Sequence, residues 1–241
     1  MKALLVPTCI LLLFSACKKE QIVINEVPEL SAPKVRSCYS NSPSDSVYYE
    51  YYADGNQKKV TVPNGSYLVT TYAPGFATEY NYSPLGILLR SNVISLNISG
   101  LVDTLGGGFE HYVFVHEYNT DNKLVKMKHL QLPGATQYEI FFFYDNGNLV
   151  KDSMSSFGVF NSKREYEYYL DKISTLELNP NFGMAYLPTM SKNCKKRTVS
   201  TDNLGNISIS EYSYEFDSMG RVSKLFLNTP SSTGTLYYSY Y

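Results

Sequence analysis

Tryptophan is missing from this sequence altogether, and histidine occurs only three times in 241 residues. So little imidazole leaves scant material for histidine-based metal or acid–base chemistry. Net charge is nearly absent as well: 21 Lys+Arg stand against 22 Asp+Glu, a formal charge of −1. That balance speaks against nucleic acid as a partner, which calls for a basic stripe. No stretch beyond the N-terminal segment shows a convincing 3.6-residue apolar period, which argues against a helical domain. The one sustained apolar run, Ala3–Phe14, is too short to cross a bilayer core of ~30 Å as a helix. No Ser, Cys or Asp stands in a recognisable nucleophile motif.

What is abundant is tyrosine. There are 23 Tyr and 12 Phe, residues that favour strands and, for Tyr, tolerate one wet end. They recur in units. "YEYYADGNQKKV" starts at Tyr49, "TEYNYSPLGILLRS" at Thr78, "VHEYNTDNKLVKM" at Val115, "FFFYDNGNLVKDS" at Phe141, "REYEYYLDKISTL" at Arg164 and "YSYEFDSMGRVSKL" at Tyr212. The shared pattern is aromatic-x-aromatic-Asp/Asn, two loose residues, Gly or Asn, a polar residue and an aliphatic pair. Tyr144, Tyr168, Phe216 and Tyr240 lie 24, 48 and 24 residues apart, and Tyr118 precedes Tyr144 by 26. A period near 24, doubled once by an insertion, fits two strands and two turns per unit. Gly55, Gly147 and Gly220, with Asn122, supply the positive φ that such turns need. Asn203–Asn206 adds another hairpin signal, and 179–193 breaks the pattern as a loop, with room for one helical turn.

The first residues, "MKALLVPTCILLLFSACKKE", place Lys2 before the apolar run and Phe14-Ser15-Ala16 before Cys17. This resembles a bacterial lipoprotein signal, with Phe14 where Leu is usual. The resemblance implies removal of 1–16 and a diacylated Cys17 as the mature N-terminus, with palmitate-type chains holding the protein to the outer membrane. Lys18-Lys19-Glu20 resembles the charged stretch that follows the lipid cysteine in lipoproteins of Bacteroidota-type bacteria; the barrier side, periplasmic or surface-exposed, stays open. Residues 17–43, polar and dotted with Pro28, Pro33 and Pro43, read as a tether, and 44–241 as a single domain. Cys9 leaves with the signal, so Cys38 and Cys194 remain in an oxidising compartment. They form either one disulfide or two buried thiols.

"YEFDSMGRV", Tyr214–Val222, resembles the tyrosine-aspartate (YD) repeat of large bacterial shell and toxin proteins. The span Glu165–Leu225 resembles an uncharacterised family of Bacteroidota-type lipoproteins with degenerate YD-like repeats. The resemblance implies a compartment and a fold class, with no chemistry attached.

Each candidate for chemistry has a turn or surface role beside it. Asp54, Asp121, Asp145 and Asp217 recur one per turn, which suits turn caps better than a calcium site with six to eight converging oxygens. Glu165 and Glu167 share one strand face and do not oppose each other across a cleft, as a glycosidase pair must. His111 and His116, five apart, fall on opposite faces of an extended strand, and His129 stands alone. "LGGGF", Leu105–Phe109, precedes a strand and not a helix, and so reads as a flexible loop and not a phosphate cradle. The expectation is an all-β domain of serial antiparallel hairpins, strongly twisted or curled into a partial barrel, with a two-sheet sandwich as the alternative. It has no catalytic residues, metal or cofactor. Its role is binding or structural, through a tyrosine-rich sheet face that meets a glycan or a protein. The alternative is a glycan-binding accessory or a glycan-processing enzyme of the envelope.

Overall fold

The computed structural model describes residues 33–107, 112–131, 134–176 and 189–241. Their alternating pattern produces β1 (Val35–Tyr39), β2 (Val47–Tyr51), β3 (Gln57–Thr61), β4 (Tyr67–Ala73), β5 (Phe76–Tyr82), β6 (Leu88–Leu96), β7 (Val102–Gly107) and β8 (Tyr112–Tyr118). They continue as β9 (Leu124–Gln131), β10 (Ala135–Asp145), β11 (Asn148–Ser156), β12 (Val159–Ile173), β13 (Asn193–Asp202), β14 (Ile207–Phe216), β15 (Val222–Asn228) and β16 (Thr233–Tyr240). Each strand pairs with its chain neighbours, and β1 pairs with β16, so one antiparallel sheet closes into a barrel. The expected hairpins are therefore present, but the curl is complete: the sheet has no free edge and no second layer.

The repeat is a device for bending the sheet. In most units the turn is five residues long and tied at both ends, while at Asp145–Asn148 it shortens to Asn146-Gly147. In Asp217–Arg221 the Asp217 amide donates to the Arg221 carbonyl (2.9 Å) and the Gly220 amide to the Asp217 carbonyl (3.0 Å). Gly220 sits at φ 75° and Gly147 at φ 79°, a backbone region that disfavours any Cβ. Immediately past the turn, the register slips by one residue. Phe143 faces Lys151 but Tyr144 faces Leu149, leaving Val150 as an extra residue. The same slip occurs at Glu50/Tyr51, Ser95/Leu96, Glu117/Tyr118 and Glu215/Phe216. Such bulges bend a strand and raise its twist, which closure requires.

Tyrosine hydroxyls then stitch one hairpin to the next. Tyr72 donates to the carbonyl of Gln57 (3.2 Å), Tyr118 to Val102 (2.7 Å), Tyr168 to Leu149 (2.6 Å) and Tyr240 to Val222 (2.7 Å). In each case the acceptor is the first or second residue of the preceding hairpin's return strand, at its bulge. Tyr51 makes the equivalent bond to Val35 (2.8 Å), across the first strand pair. The acceptors Val35, Gln57, Val102, Leu149 and Val222 are all buried. All these pairs lie at one rim, which also holds both ends of the barrel chain, and together they form a packed floor there. The unit at Thr78 is out of phase: Tyr82 ends β5 at the opposite rim, beside the turn through Pro84 and Gly86.

Three boundaries differ from expectation. β1 lies inside the stretch read as tether, because five residues among prolines carry too short an alternation to be seen; its pairing with β2 and β16 makes it a strand. The "LGGGF" stretch is strand through Gly107, since Leu105 is held between Ile94 and Phe114; the remainder of that stretch, and 177–188 of the predicted loop, fall outside the described residues. The described residues on either side of 177–188 lie against the floor. The Val222 amide donates to Thr175 Oγ1 (3.0 Å), and the Tyr168 hydroxyl lies 2.8 Å from Ser191 Oγ. The stretch between β12 and β13 lengthens one hairpin step and explains the 48-residue gap.

Removing a stitch leaves a buried carbonyl without its donor. Tyr168→Phe and Tyr240→Phe should each lower the unfolding free energy by about 1–2 kcal/mol; urea denaturation should show a lower midpoint at unchanged slope. An unchanged midpoint in both variants would remove the stitches as a source of stability. Burial also pushes the hydroxyls of Tyr72, Tyr118 and Tyr144 above the ordinary phenol range. A folded-state pKa raised above the unfolded value contributes stability that is intact below about pH 10 and is lost as pH climbs past it. Tyrosinate absorbance from these rings should therefore appear together with loss of the β-sheet circular dichroism signal; titration of all rings with the sheet signal intact would contradict their burial.

Candidate functional site

Partners in register share a face, so the two surfaces of the wall can be read off the pairing. One row runs Tyr72, Ala77, Ile94, Leu105, Phe114, His129, Tyr138 across β4 to β10. Ala77 and Ile94 of this row are buried, and the buried Tyr49, Thr70, Asp152 and Thr198 lie on the same face. In a single-layer closed wall the concave side crowds side chains closest together, and this row with its buried cluster is the crowded one, so it is the inward face. Ala77, Ile94 and Val102 form its tightest cluster, with Tyr72, Leu96 and Leu105 packed against them.

The inward face also carries polar groups. Asp152, 3% exposed, accepts from Arg164 Nε (3.0 Å) and from the Tyr166 hydroxyl, and pairs with Arg164 Nη2 (3.0 Å). Every bond that a buried carboxylate needs is supplied, which suits a structural tie inside the wall. His129 lies between Tyr112 (4.9 Å between ring centres) and Tyr138 (4.6 Å), and Phe114 closes on it (4.7 Å). His116 and His129 share this face on adjacent strands, whereas His111 lies outside the described residues. Among the described residues no cluster of His, Cys, Asp and Glu is arranged to hold a metal ion.

The outward face carries ion pairs along the middle of many strands, with Val93, Phe143 and Ile209 exposed among them. Glu50 pairs with Lys59 (3.7 Å), Glu117 with Lys128 (2.5 Å), Lys126 with Glu139 (2.6 Å), Glu167 with Arg197 (3.1 Å) and Glu215 with Lys224 (2.7 Å). Glu165 joins this lattice through Lys163 (3.0 Å). The Glu165 and Glu167 carboxylates thus face solvent among bases and do not converge on a cleft. Lysine ammonium groups also lie over outward rings, Lys59 over Tyr67 (4.6 Å) and Lys126 over Phe141 (4.8 Å).

The remaining predicted residues resolve as follows. Asp217 Oδ1 accepts from the amides of Met219 and Arg221 (both 2.9 Å), and Asp54 Oδ1 from that of Asn56 (2.9 Å), as turn caps do. Burial opposes charge on Asp217, but the Arg221 amide, the Arg221 guanidinium and the Met219 amide outweigh it and hold its pKa down. In the Asp121 turn the cap is Asn119, at the turn's first position, bonded to the amides of Asp121 (3.0 Å) and Lys123 (2.9 Å). Asp145 instead takes the Asn146 side chain (3.0 Å). Asp202 was missed and caps two amides the same way, Leu204 (2.9 Å) and Asn206 (2.8 Å). Cys38 and Cys194 are thiols and do not bridge to each other: Cys38 Sγ lies 3.5 Å from the Tyr49 hydroxyl, and Cys194 Sγ points to the Ile173 carbonyl (3.6 Å). Cys17 lies outside the described residues.

The feature that sequence reasoning did not find is a groove. The ladder between β13 and β14 runs only from Arg197–Thr201 against Ile207–Glu211, so the two strands diverge toward the floor. Tyr169 fills the divergence: its hydroxyl donates to the Tyr212 carbonyl (3.1 Å), and its ring stands edge-on to Tyr214 (6.3 Å, 87°). Outside this parting the wall is indented by a cavity of about 760 Å³, open to solvent and lined chiefly by Tyr169, Arg197, Glu211, Phe226, Asn228 and Tyr237. The strand residues Arg197, Glu211 and Asn228 form one register row on the outward face, and Phe226 and Tyr237 lie on the same face. Tyr237 is stacked on Tyr39, 4.8 Å between ring centres at 9°.

No protein-family model matches the chain, and no curated protein matches it in sequence. Among solved structures, it is similar to a porin-like protein from Bacteroides uniformis, at 14% identity and a TM-score of 0.66, over 85% of this chain and 96% of that one. It is also similar to a porin-like protein from Bacteroides vulgatus, at 12% identity and a TM-score of 0.59, over 86% of this chain and 99% of that one. At such identities the likeness is one of fold: a closed antiparallel barrel of matching extent.

Proposed function

We propose that this chain is a lipid-anchored protein of the cell envelope, held to the outer membrane through Cys17, whose barrel stands in water and has a non-catalytic binding or structural role. The observation that carries this reading is the ion-pair lattice on the outward face. A barrel that crosses a membrane needs an outward apolar band, and each Lys or Arg at the bilayer midplane costs about 2–4 kcal/mol. Lys59, Lys126, Lys128, Arg197 and Lys224 stand in mid-strand on the outward side of the wall. Attachment to a membrane then falls to the N-terminal segment, whose signal-like run ends at Cys17. Residues 17–34 reach at most roughly 60 Å when extended, enough to set the barrel clear of a bilayer. The porin-like names of the two solved neighbours fit a place in the envelope, while the polarity of this wall separates it from a pore. The non-catalytic reading is supported by the buried Asp152, fully tied to Arg164 and Tyr166, and by Glu165 and Glu167, each spent in an ion pair.

Fractionation of cells expressing the full-length chain tests this. The wild type should sediment with membranes, resist carbonate and be released by mild detergent. Cys17→Ser should be soluble without detergent and keep its β-sheet spectrum, because the substitution removes the acylated sulfur. Retention of Cys17→Ser in the membrane fraction would defeat the proposal. A second reading, a glycan-binding accessory, is favoured by the groove over β13–β16.

A further inference from the structure

We propose that the groove between β13 and β16 binds a neutral oligosaccharide. This rests on the reading of the barrel as a binding module in water and supplies the class of its ligand. Its volume, about 760 Å³, lies in the range of ligand sites and exceeds the gaps that side-chain packing leaves. Its walls combine two kinds of group. Tyr169, Phe226 and Tyr237 supply aromatic rings, with Lys172 over Tyr169 (4.8 Å) and Tyr39 stacked on one face of Tyr237; the C–H face of a pyranose packs on the ring surface that is left. Tyr237 is braced from behind by Tyr39, and Tyr169 by its bond to the Tyr212 carbonyl, so two of the rings are held in place before ligand arrives. Between them Arg197, Glu211, Asn228 and the hydroxyls of Thr233 and Thr235 present both donors and acceptors, which is what vicinal sugar hydroxyls require.

Charge selects within this class. The cations at the groove are Lys196 and Arg197, and the anion is Glu211; Arg197 is already paired with Glu167 (3.1 Å). The field in the groove is close to balanced, which suits an uncharged chain over a phosphorylated or uronic one. Glu211 is the one carboxylate among the lining residues, so the two acids that hydrolysis of a glycosidic bond uses are not both in place. The groove holds a sugar chain without cutting it. It is open to solvent on its outer side, so an internal stretch of a longer chain enters as readily as an end.

Calorimetric titration of the full-length chain with maltohexaose, cellohexaose, xylohexaose, mannohexaose and chitohexaose, with oligogalacturonate as the charged comparison, tests the assignment. The expected result is saturable binding of at least one neutral hexasaccharide, unchanged by added salt because no net charge is matched. Phe226→Ala and Tyr237→Ala should each weaken it about tenfold or more. Arg197→Lys should weaken it through loss of the planar fork, with the fold intact by circular dichroism. Tyr112→Ala, on the inward face, should leave it unchanged. Failure of all five neutral sugars, binding of oligogalacturonate alone, binding that survives Phe226→Ala and Tyr237→Ala together, or occupation of the groove by an extended peptide instead would each overturn it. Sugar binding does not depend on Cys17, and fractionation does not depend on the groove, so the two proposals fail separately.

Discussion

The fold depends on one recurring hydrogen bond: a tyrosine hydroxyl at the end of one hairpin donating to a main-chain carbonyl at the bulge of the hairpin before it. A bulge is needed because a sheet must coil to close, but it interrupts the ladder and exposes a carbonyl. Placing the phenol there answers both needs together. The ring covers the first aliphatic residue of the neighbouring return strand, and the hydroxyl satisfies the carbonyl beside it. Val102, Leu149 and Val222 are buried for this reason, although each stands within a few residues of a solvent-facing turn. Tryptophan cannot substitute, because its N–H lies at the side of a larger ring, and phenylalanine covers without donating. At β14 the chain does use Phe216, and there Lys172 lies over the ring (5.6 Å) beside the parting of β13 and β14.

The polarity of the wall decides what such a barrel is for. A closed sheet can face lipid outside and water within, or water outside and its own rings within. Here aromatic and aliphatic residues converge on the concave side, and acid–base pairs occupy the convex one. Individually these surface pairs contribute little, about 0–1 kcal/mol each. Their weight in the proposal is the cost that mid-strand Lys and Arg would meet in hydrocarbon. The likeness in fold to porin-like proteins describes the closure of the sheet; the solvent outside it is what the proposal reads from the side chains of the outer face.

Much of the architecture was legible, because it is written in side chains. The spacing of Tyr118, Tyr144, Tyr168, Phe216 and Tyr240 marks alternate strand ends, and Gly147 and Gly220 mark the positive-φ turns between them. What stayed illegible depends on the main chain or on distant pairing. The acceptors of the tyrosine hydroxyls are carbonyls, which have no sequence signature. The bulge residues Val150 and Ser223 look like ordinary strand residues. The capping role of Asn119 was hidden because Asn and Asp compete two positions apart, and only the turn's length decides between them. Complete closure was not visible either: a curled sheet and a closed one have the same local pattern and differ only in whether Val35 meets Tyr240. The groove arises where one ladder stops short, and its Tyr169, Arg197, Phe226 and Tyr237 come from four strands.

The meeting of β1 with β16 has a temporal side. The residues it joins, Val35 and Tyr240, lie at opposite ends of the barrel chain, so each hairpin can form as it emerges but the ring waits for the last strand. Until then the growing sheet carries two open edges, each a template for another copy of itself. A protein assembled this way is safest when its strands arrive together in one compartment, and loss of a few C-terminal residues would leave a ribbon that polymerises where the intact chain makes a closed ring.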